Sequence, residues 1–356
     1  MPSQRRTFES RIDYSLLLPV LLLLSIGVTA IYIAVSHDYP NNVLQIVGQQ
    51  VVWILLGFLI SFIVMFFNTK FLWKMTPFLY VLGLGLMVLP LVFYSESLVA
   101  STGAKNWVSI RGVTLFQPSE FMKISYILML SRVVVKFLQQ NKNYERTIAL
   151  DLFLIVKLAL YTLPVLFLLA LQSDLGTALV FAAIYCGIVL LSGVSWKIIL
   201  PVFLTVSLLF TVFMLIFISN GGRAFLHGLG MPTYQINRIS AWLHPFEYAQ
   251  TVTYQQAQGQ IAIGSGGLLG QGFNVSNLLV PVRESDMIFT VIAEDFGFLG
   301  SSLVIVIYLF LIHRMLQITI KSNNQFYTYI STGLIMMLLF HIFENIGAVT
   351  GILPLT

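Results

Sequence analysis

The sequence predicts an all-α, polytopic membrane protein with nine transmembrane helices and a large outer loop between the seventh and eighth. Hydrophobic residues make up 58% of the 356 residues and charged residues only 9%, whereas soluble domains carry about 25% charged residues. The apolar residues gather in nine runs, each long enough to cross roughly 30 Å of hydrocarbon. No internal repeat or low-complexity segment separates them, so one membrane domain over 1–356 is expected.

The elements follow one another along the chain with two long interruptions. The first run, 14–35, resembles a signal peptide, but its length of about 20 residues predicts a retained helix. The other runs are 45–67, 75–94, 118–135, 152–171, 175–193, 198–219, 286–312 and 326–348. Polar segments at 95–117 and 220–285 interrupt them. The second is far longer than the usual connection of about 4–6 residues, which predicts an ordered, functional outer loop.

The placement of lysine and arginine predicts the orientation of the chain. With the N-terminus inside, eleven of these residues fall in inner segments and five in outer ones, so a multi-pass protein of the cytoplasmic membrane with a cytoplasmic N-terminus is expected. The excess of lysine and arginine in the inner segments accounts for the net charge of +5, so no nucleic-acid partner is predicted. The outer cations either are solvated or hold an anionic lipid headgroup such as a diphosphate; they are Lys105, Arg111, Arg223, Arg238 and Arg283.

Carboxylates are concentrated where the long outer loop meets the eighth run. Glu284, Asp286, Glu294 and Asp295 are four of only fourteen acidic residues. If a helix begins near Ser285, Glu294 lies about 80° around it and roughly 12 Å deeper than Asp286. Both are then expected to face one cavity. The alternative is that Ser285 or Asp286 only caps the helix.

Charges also fall inside or between the apolar runs. Glu120 and Lys123 are spaced i, i+3 on a helix that Pro118 opens, so both lie on one face. A charge inside the bilayer is costly unless it is paired or faces water, so the pair either is functional or locks the helix. Asp174, between two spans, is either a helix cap or a site carboxylate.

The outer loop contains a glutamine-rich patch and a glycine-rich segment. Gln258 in the patch is a candidate for binding sugar hydroxyls, and Ser265 lies in the glycine-rich segment 264–272. That segment predicts either a cradle of backbone amides for a phosphate or a closely packed backbone. His341, Glu344 and Asn345 form either a metal or proton site or, as we favour, a hydrogen-bonded helix contact. The other histidines show no ligand spacing, so no zinc site is expected.

Several motifs in order identify the chain as similar to the SEDS proteins (shape, elongation, division and sporulation). They cover nearly the whole chain: residues 103–107 (Gly-Ala-Lys-Asn-Trp), 116–123 (Phe-Gln-Pro-Ser-Glu-Phe-Met-Lys), 172–178 (Gln-Ser-Asp-Leu-Gly-Thr-Ala), 261–267 (Ile-Ala-Ile-Gly-Ser-Gly-Gly), 284–289 (Glu-Ser-Asp-Met-Ile-Phe) and 353–356 (Leu-Pro-Leu-Thr). The resemblance is strongest to the elongation members of Gram-positive cocci, with the division members as the nearest alternative.

The resemblance implies a ten-helix fold and a peptidoglycan glycosyltransferase that polymerises lipid II outside the cytoplasmic membrane. Asp286 matches the essential acidic residue of the family's large outer loop, while Glu120, Lys123 and Asp174 match polar positions that line its central cavity. A class B penicillin-binding protein, which crosslinks the strands, is the implied partner.

In this interpretation Asp286 is the general base of an inverting transfer. Arg111, Lys123, Arg223 and Arg238, with Mg²⁺ or Mn²⁺, would stabilise the leaving diphosphate.

The chain departs from the family pattern in two places. Glu284 stands where the family usually has histidine, which puts a second carboxylate beside Asp286 and makes Glu284 a candidate for holding a metal ion. The sequence also stops at 353–356, where the family continues into its last helix, so that helix is expected to be absent. A lipid II flippase is the alternative function, because ionisable groups within spans also suit a transport path.

Overall fold

The computed structural model describes residues 12–110, 113–247, 254–275 and 279–354. Within these ranges the chain forms thirteen α-helices and one two-stranded antiparallel hairpin. The helices are α1 (Tyr14–Asp38), α2 (Val43–Val64), α3 (Thr69–Val92), α4 (Glu96–Thr102), α5 (Pro118–Gln140), α6 (Ile148–Gln172), α7 (Leu175–Leu191), α8 (Trp196–Ile218), α9 (Gly222–Gly228), α10 (Thr233–Leu243), α11 (Tyr254–Ser265), α12 (Ile288–Lys321) and α13 (Gln325–Thr350). The strands are β1 (Val108–Ile110) and β2 (Val113–Phe116), and a 3₁₀ turn, Pro40–Asn42, precedes α2.

All nine predicted apolar runs are helical. Seven of the described helices, α1, α2, α3, α6, α8, α12 and α13, are long and apolar enough to cross a membrane. The other two predicted spans form α5, which has 23 residues and several charges, and α7, which is apolar but only 17 residues long. The prediction of an all-α, multi-pass membrane protein is therefore confirmed. The loop predicted at 220–285 contains the short helices α9, α10 and α11.

The chain divides into two compact units, each built from separate stretches of sequence. Unit 1 comprises residues 1–66, 214–317 and 342–356, and unit 2 comprises 67–213 and 318–341. The expectation of one domain over 1–356 stays a prediction.

Unit 2 is built around α5, most of whose side chains are buried. The Tyr126 hydroxyl lies 2.7 Å from that of Thr162, and its ring packs edge-on against Phe181. Helix α3 approaches α5 so closely at Gly83 that a Cβ there would lie 2.6 Å from the Met122 sulfur. Since α5 is enclosed by protein rather than lipid, it can carry charged groups that a lipid-facing helix would not tolerate.

Unit 1 pairs α1 with α12. Small and branched apolar side chains form the contact: Ala30, Ile33 and Ala34 pack against Val291, Ile292 and Val304. At one end of α1, Asp13 accepts the Leu16 N–H as N-cap. Its two carboxylate oxygens also accept from Arg314 at 3.2 and 2.7 Å. The Arg314 hydrogen bond lowers the pKa of Asp13, so an ion pair fixes the start of α1 against α12.

Helix α12 is interrupted at Gly297, whose φ of 63° and ψ of −158° are not helical. The next two amides leave the helical pattern. Phe298 N–H donates to the Gly267 carbonyl at 2.9 Å, and Leu299 N–H donates to the Leu268 carbonyl at 3.2 Å. Both acceptors belong to the glycine-rich segment.

The glycine-rich segment replaces the two helical hydrogen bonds that are lost at Gly297. In a regular helix the carbonyls of Glu294 and Asp295 would accept from residues 298 and 299. Here they accept instead from Gln271 N–H at 2.9 Å and Gly272 N–H at 3.2 Å. Helix and loop thus exchange hydrogen bonds in pairs, and these backbone groups are satisfied despite the kink.

Candidate functional site

Asp286 lies in a turn, residues 281–287, that precedes α12. The helix begins at Ile288, not near Ser285, so the predicted starting point was wrong. The amides of Ser285 and Met287 donate to the Val282 carbonyl at 3.2 and 3.3 Å, which closes the turn ahead of the helix. Asp286 is exposed and precedes the helix. The helical spacing from which its position relative to Glu294 was predicted therefore does not apply to it.

The turn is held at several points along its length. Gln255 Nε2 donates to the Pro281 carbonyl at 3.3 Å, and Asn345 Nδ2 donates to the Asp286 carbonyl at 3.1 Å. Met287 is fully buried in a small apolar cluster with Ala262, Val280 and Val349. Val282 adopts a φ of +57°, a conformation that a β-branched residue rarely takes. The fixed contacts on both sides maintain it.

Arg283 is buried rather than solvated, which corrects the expectation that it is one of the free outer cations. Its side chain is 1% exposed, with one terminal nitrogen 3.2 Å from Asp38 Oδ1 and the other 3.5 Å from Glu294 Oε2. Glu294 is itself fully buried. The carboxylate expected to share a cavity with Asp286 is therefore an ion-pair partner of Arg283.

The carboxylates on the open side of the turn have a different environment. Desolvation by the surrounding protein raises the pKa of Asp286 above its ordinary value, although the side chain keeps contact with solvent. Glu284 is half-buried, and its Oε2 makes no hydrogen bond within the described chain. The charge of Glu284 is also the main reason why the pKa of Tyr39 is raised. Negative charge is thus concentrated where the turn faces outward.

The glycine-rich segment is a closely packed backbone, the second of the two predicted alternatives. A Cβ at Gly266 would lie 1.9 Å from the Ala293 carbonyl oxygen, and one at Gly270 would lie 2.0 Å from that of Asp295. The amides of Gln271 and Gly272 are engaged by α12. A phosphate cradle is therefore not supported for these two amides.

The two candidate binding residues near this segment lie on α11. Ser265 Oγ donates to the Ala262 carbonyl at 2.7 Å within its own helix. Gln258 is half-buried beside Gly259, which packs against Met287 of the turn. Their roles in binding stay predictions.

A further polar group connects the end of α1 to the loop beyond the glycine-rich segment. Asn274 N–H donates to Asp295 Oδ2 at 2.7 Å. The Asn274 side-chain oxygen accepts from Ser36 Oγ at 2.9 Å, and its carbonyl lies 3.1 Å from His37 Nε2. Of three consecutive residues of α1, Ser36 and His37 thus contact Asn274, and Asp38 contacts Arg283 in the turn that carries the candidate base.

Unit 2 contains the predicted Glu120–Lys123 pair. Lys123 Nζ lies 2.9 Å from Glu120 Oε1 and 2.9 Å from His341 Nε2. Lys123 is 3% exposed at its side chain, whereas Glu120 is 60% exposed, so the pair joins a buried cation to an open surface. His341 makes a contact between helices, as favoured from the sequence, but with Lys123. Asn345 instead contacts the Asp286 turn in unit 1.

Asp174 acts as the N-cap of α7, and its carboxylate is well satisfied. It accepts from Thr177 N–H at 3.0 Å, Thr177 Oγ1 at 2.9 Å and Asn106 Nδ2 at 2.8 Å. The preceding Lys105 donates its N–H to the Gln172 carbonyl at 2.8 Å and places its ammonium 4.6 Å from the centre of the Tyr94 ring. These contacts account for Asp174 as a structural residue, while substrate contact by either residue stays a prediction.

The other predicted cations are Arg111, Arg223 and Arg238. Arg223 in α9 lies over the Phe217 ring at 5.4 Å, and Arg238 on α10 is exposed. Arg111 falls outside the described residues. The role of all three in binding a diphosphate stays a prediction.

No group of three or more histidine, cysteine, aspartate or glutamate side chains is arranged for metal binding among the residues that the structure describes. A site made by protein ligands alone is thus not supported there. Magnesium commonly binds through one or two carboxylates together with substrate phosphates, and a single carboxylate such as that of Glu284 suits only this weaker mode.

Sequence reasoning missed the network formed by Asp38, Arg283 and Glu294. One signal was present, because two adjacent carboxylates inside an apolar run require partners. Their partners lie far away in sequence: Asp38 is 245 residues from Arg283. Hydropathy and local spacing could not identify that pairing.

Comparison with known proteins places the chain in a family. The sequence profile of the FtsW, RodA and SpoVE group, described as cell cycle proteins, matches residues 14–356. The peptidoglycan glycosyltransferase MrdB of Escherichia coli K12 is 30% identical over 98% of this chain and 88% of its own length. A probable peptidoglycan glycosyltransferase FtsW from Lactococcus lactis is 28% identical over 97% of this chain and 86% of its own.

Two solved structures share the fold. One, reported for the coordination of polymerisation and crosslinking by a peptidoglycan synthase complex, aligns with a TM-score of 0.75 and 25% identity over 96% of this chain and 88% of that chain. The rod shape determining protein RodA of Thermus thermophilus aligns with a TM-score of 0.62 and 24% identity over 98% of this chain and 86% of that one. The chain belongs to the FtsW/RodA/SpoVE family, the SEDS proteins.

Proposed function

We propose that this protein is a peptidoglycan glycosyltransferase that polymerises lipid II at the outer face of the cytoplasmic membrane, with its N-terminus in the cytoplasm. The observation that carries the proposal is the placement of Asp286. Its carboxyl is accessible, partly desolvated and held in a fixed turn at the start of a membrane span. Relatives 28–30% identical over nearly the whole chain are named peptidoglycan glycosyltransferases. We favour cell elongation over division as the process that the protein serves.

In the proposed reaction, the 4-hydroxyl of one GlcNAc attacks C1 of a MurNAc that carries a lipid diphosphate. Asp286 accepts the hydroxyl proton as the new bond forms, and the bond from C1 to the diphosphate oxygen breaks. A positioned base contributes roughly 10²–10⁴-fold to such a step. Since an α-linked donor becomes a β-linked product, one displacement suffices and no covalent enzyme intermediate is needed.

The leaving diphosphate requires positive charge. Lys123, Arg111, Arg223 and Arg238 are the proposed cations, and Mg²⁺ or Mn²⁺ near Glu284 would add to them if bound with the substrate phosphates. We also propose a class B penicillin-binding protein as partner, because the solved synthase complex couples polymerisation to crosslinking.

The test compares native protein with Asp286→Asn and Glu284→Gln in the presence of the partner, whose own activity is blocked. Lipid II is supplied with and without Mn²⁺, and glycan ladders are resolved on a gel. We expect a ladder from native protein, at least a 100-fold loss in Asp286→Asn, and, in Glu284→Gln, polymerisation that continues but responds less to added Mn²⁺. Equal ladders from native and Asp286→Asn protein would remove Asp286 as the base.

A flippase remains the second candidate because Glu120 and Lys123 of the largely buried helix α5 form an ionisable group with His341 of α13, and transport paths contain such groups. In that case native protein would give no ladder but would move lipid II across vesicle membranes. The same preparations therefore separate the two functions.

A further inference from the structure

We infer that Arg283 is a positioning residue for Asp286, acting through its ion pairs with Asp38 at the end of α1 and Glu294 in α12. The inference rests on the proposed role of Asp286 as base. It extends that role by assigning the geometry of the base to a buried network that also includes the first helix of the chain.

The burial pattern of the turn is the first argument. Arg283 is 1% exposed and Met287 is fully buried, whereas the three residues between them are half-buried or exposed. The two inward side chains act as anchors on either side of Asp286. Met287 is held by apolar packing, and Arg283 by charge.

The chemistry of the anchor is the second argument. Asp38 is 12% exposed at its side chain and Glu294 is 0% exposed, so Arg283 compensates two carboxylates with little access to water. A guanidinium presents donors in a rigid fork and can contact both at once. This fixes the direction in which the Arg283 side chain leaves the backbone, and therefore the direction in which the next three residues project.

Backbone strain is the third argument. Val282, with its φ of +57°, immediately precedes Arg283 and provides the carbonyl that closes the turn. A valine persists in this conformation only when its surroundings impose it. If the ion pairs loosen, the turn is free to relax and Asp286 moves with it.

The test uses Arg283→Lys and Asp38→Asn, singly and together. Both changes are conservative, and each weakens the same ion pair from one side. We expect kcat for glycan synthesis to fall about 10- to 100-fold in each single variant, since small displacements of a reacting group have effects of this size. KM for lipid II should stay within about twofold. The kcat of the double variant should be no lower than that of the less active single variant, because the effects of two residues that act through one contact are not additive.

The matched control is Arg314→Lys, which weakens another arginine–aspartate pair of unit 1, with Asp13, away from the turn. It should leave kcat unchanged. Thermal melting and co-purification with the partner check that each variant is folded.

The inference fails if Arg283→Lys and Asp38→Asn keep native kcat, if their losses multiply in the double variant, or if Arg314→Lys loses as much. A variant that loses activity only in proportion to its folded fraction would also overturn it. Activity in Asp286→Asn removes the base and the inference together. An inactive Asp286→Asn beside a native Arg283→Lys overturns the inference alone.

Discussion

At the scale of single residues, Asp286 combines two properties that oppose each other. A carboxylate that accepts a proton from a sugar hydroxyl works better when its pKa is raised, and partial loss of hydration has that effect. The same loss destabilises the ionised carboxylate in the folded protein. The contacts that hold residues 281–287 keep the Asp286 carboxylate in this position, where its ionised form lowers the stability of the fold but where it can act as the proposed base.

Asp286→Asn is therefore expected to raise the thermal midpoint of unfolding at pH 7. The pKa of Asp286 is raised in the folded protein, so ionisation costs stability as the pH rises through that pKa. The cost is absent below the ordinary aspartate pKa of about 3.9 and fully present above the folded value. Melting curves in detergent at several pH values measure the effect.

The gain should diminish as the pH approaches 4. An exposed carboxylate elsewhere, Glu96 changed to Gln, serves as the control and should show no comparable gain. A lower midpoint for Asp286→Asn at pH 7 would mean that the carboxylate stabilises the fold, contrary to this account.

At the scale of elements, α12 and the glycine-rich segment form one structural unit. The glycine-rich segment supplies hydrogen-bond partners for four backbone groups of α12. These are the carbonyls of Glu294 and Asp295 and the amides of Phe298 and Leu299. Glycine is required where the two backbones meet, since a Cβ at Gly297 would lie 2.3 Å from the Gly270 nitrogen.

Gly297→Ala is expected to destabilise the protein severely, because alanine combines an unfavourable φ with a clash against backbone. Gly27→Ala is the matched control, since a Cβ on Gly27 of α1 meets nothing within 4 Å. That change should be neutral or stabilising by about 0.5–1 kcal/mol. The measurement is the thermal midpoint of unfolding of each variant, which should be much lower for Gly297→Ala than for Gly27→Ala. Similar midpoints would show that the close approach at Gly297 is unimportant.

Helix α5 shows where sequence reasoning works at this scale. The i, i+3 spacing of Glu120 and Lys123 correctly predicted a common face and a pair. The third member, His341, could not be predicted, because 218 residues separate it from Lys123.

At the scale of the whole molecule, the helical fold was largely predictable and the candidate site only in part. Apolar runs of about 20 residues must be helices in a bilayer because every backbone group needs a partner. The density of carboxylates also located the Asp286 turn. The burial of Arg283 was not predictable, since a loop cation looks the same in sequence whether it is solvated or paired.

The proposal that the N-terminus lies in the cytoplasm can be tested by cysteine labelling. The only native cysteine, Cys186, is first changed to Ser. Single cysteines at Ser97, ahead of α5, and at Lys142, after it, should then lie on opposite sides of the membrane. A membrane-impermeant maleimide should label Ser97→Cys in intact cells and Lys142→Cys only after permeabilisation. The reverse pattern would invert the orientation.

The exchange of hydrogen bonds at Gly297 also has a consequence for biosynthesis. The glycine-rich segment leaves the ribosome before the helix that completes it. Until α12 is made, the amides of Gln271 and Gly272 lack the carbonyls of Glu294 and Asp295 to which they donate in the folded protein. The glycine-rich segment and the start of α12 must therefore assemble together, after the translation machinery has released both of them.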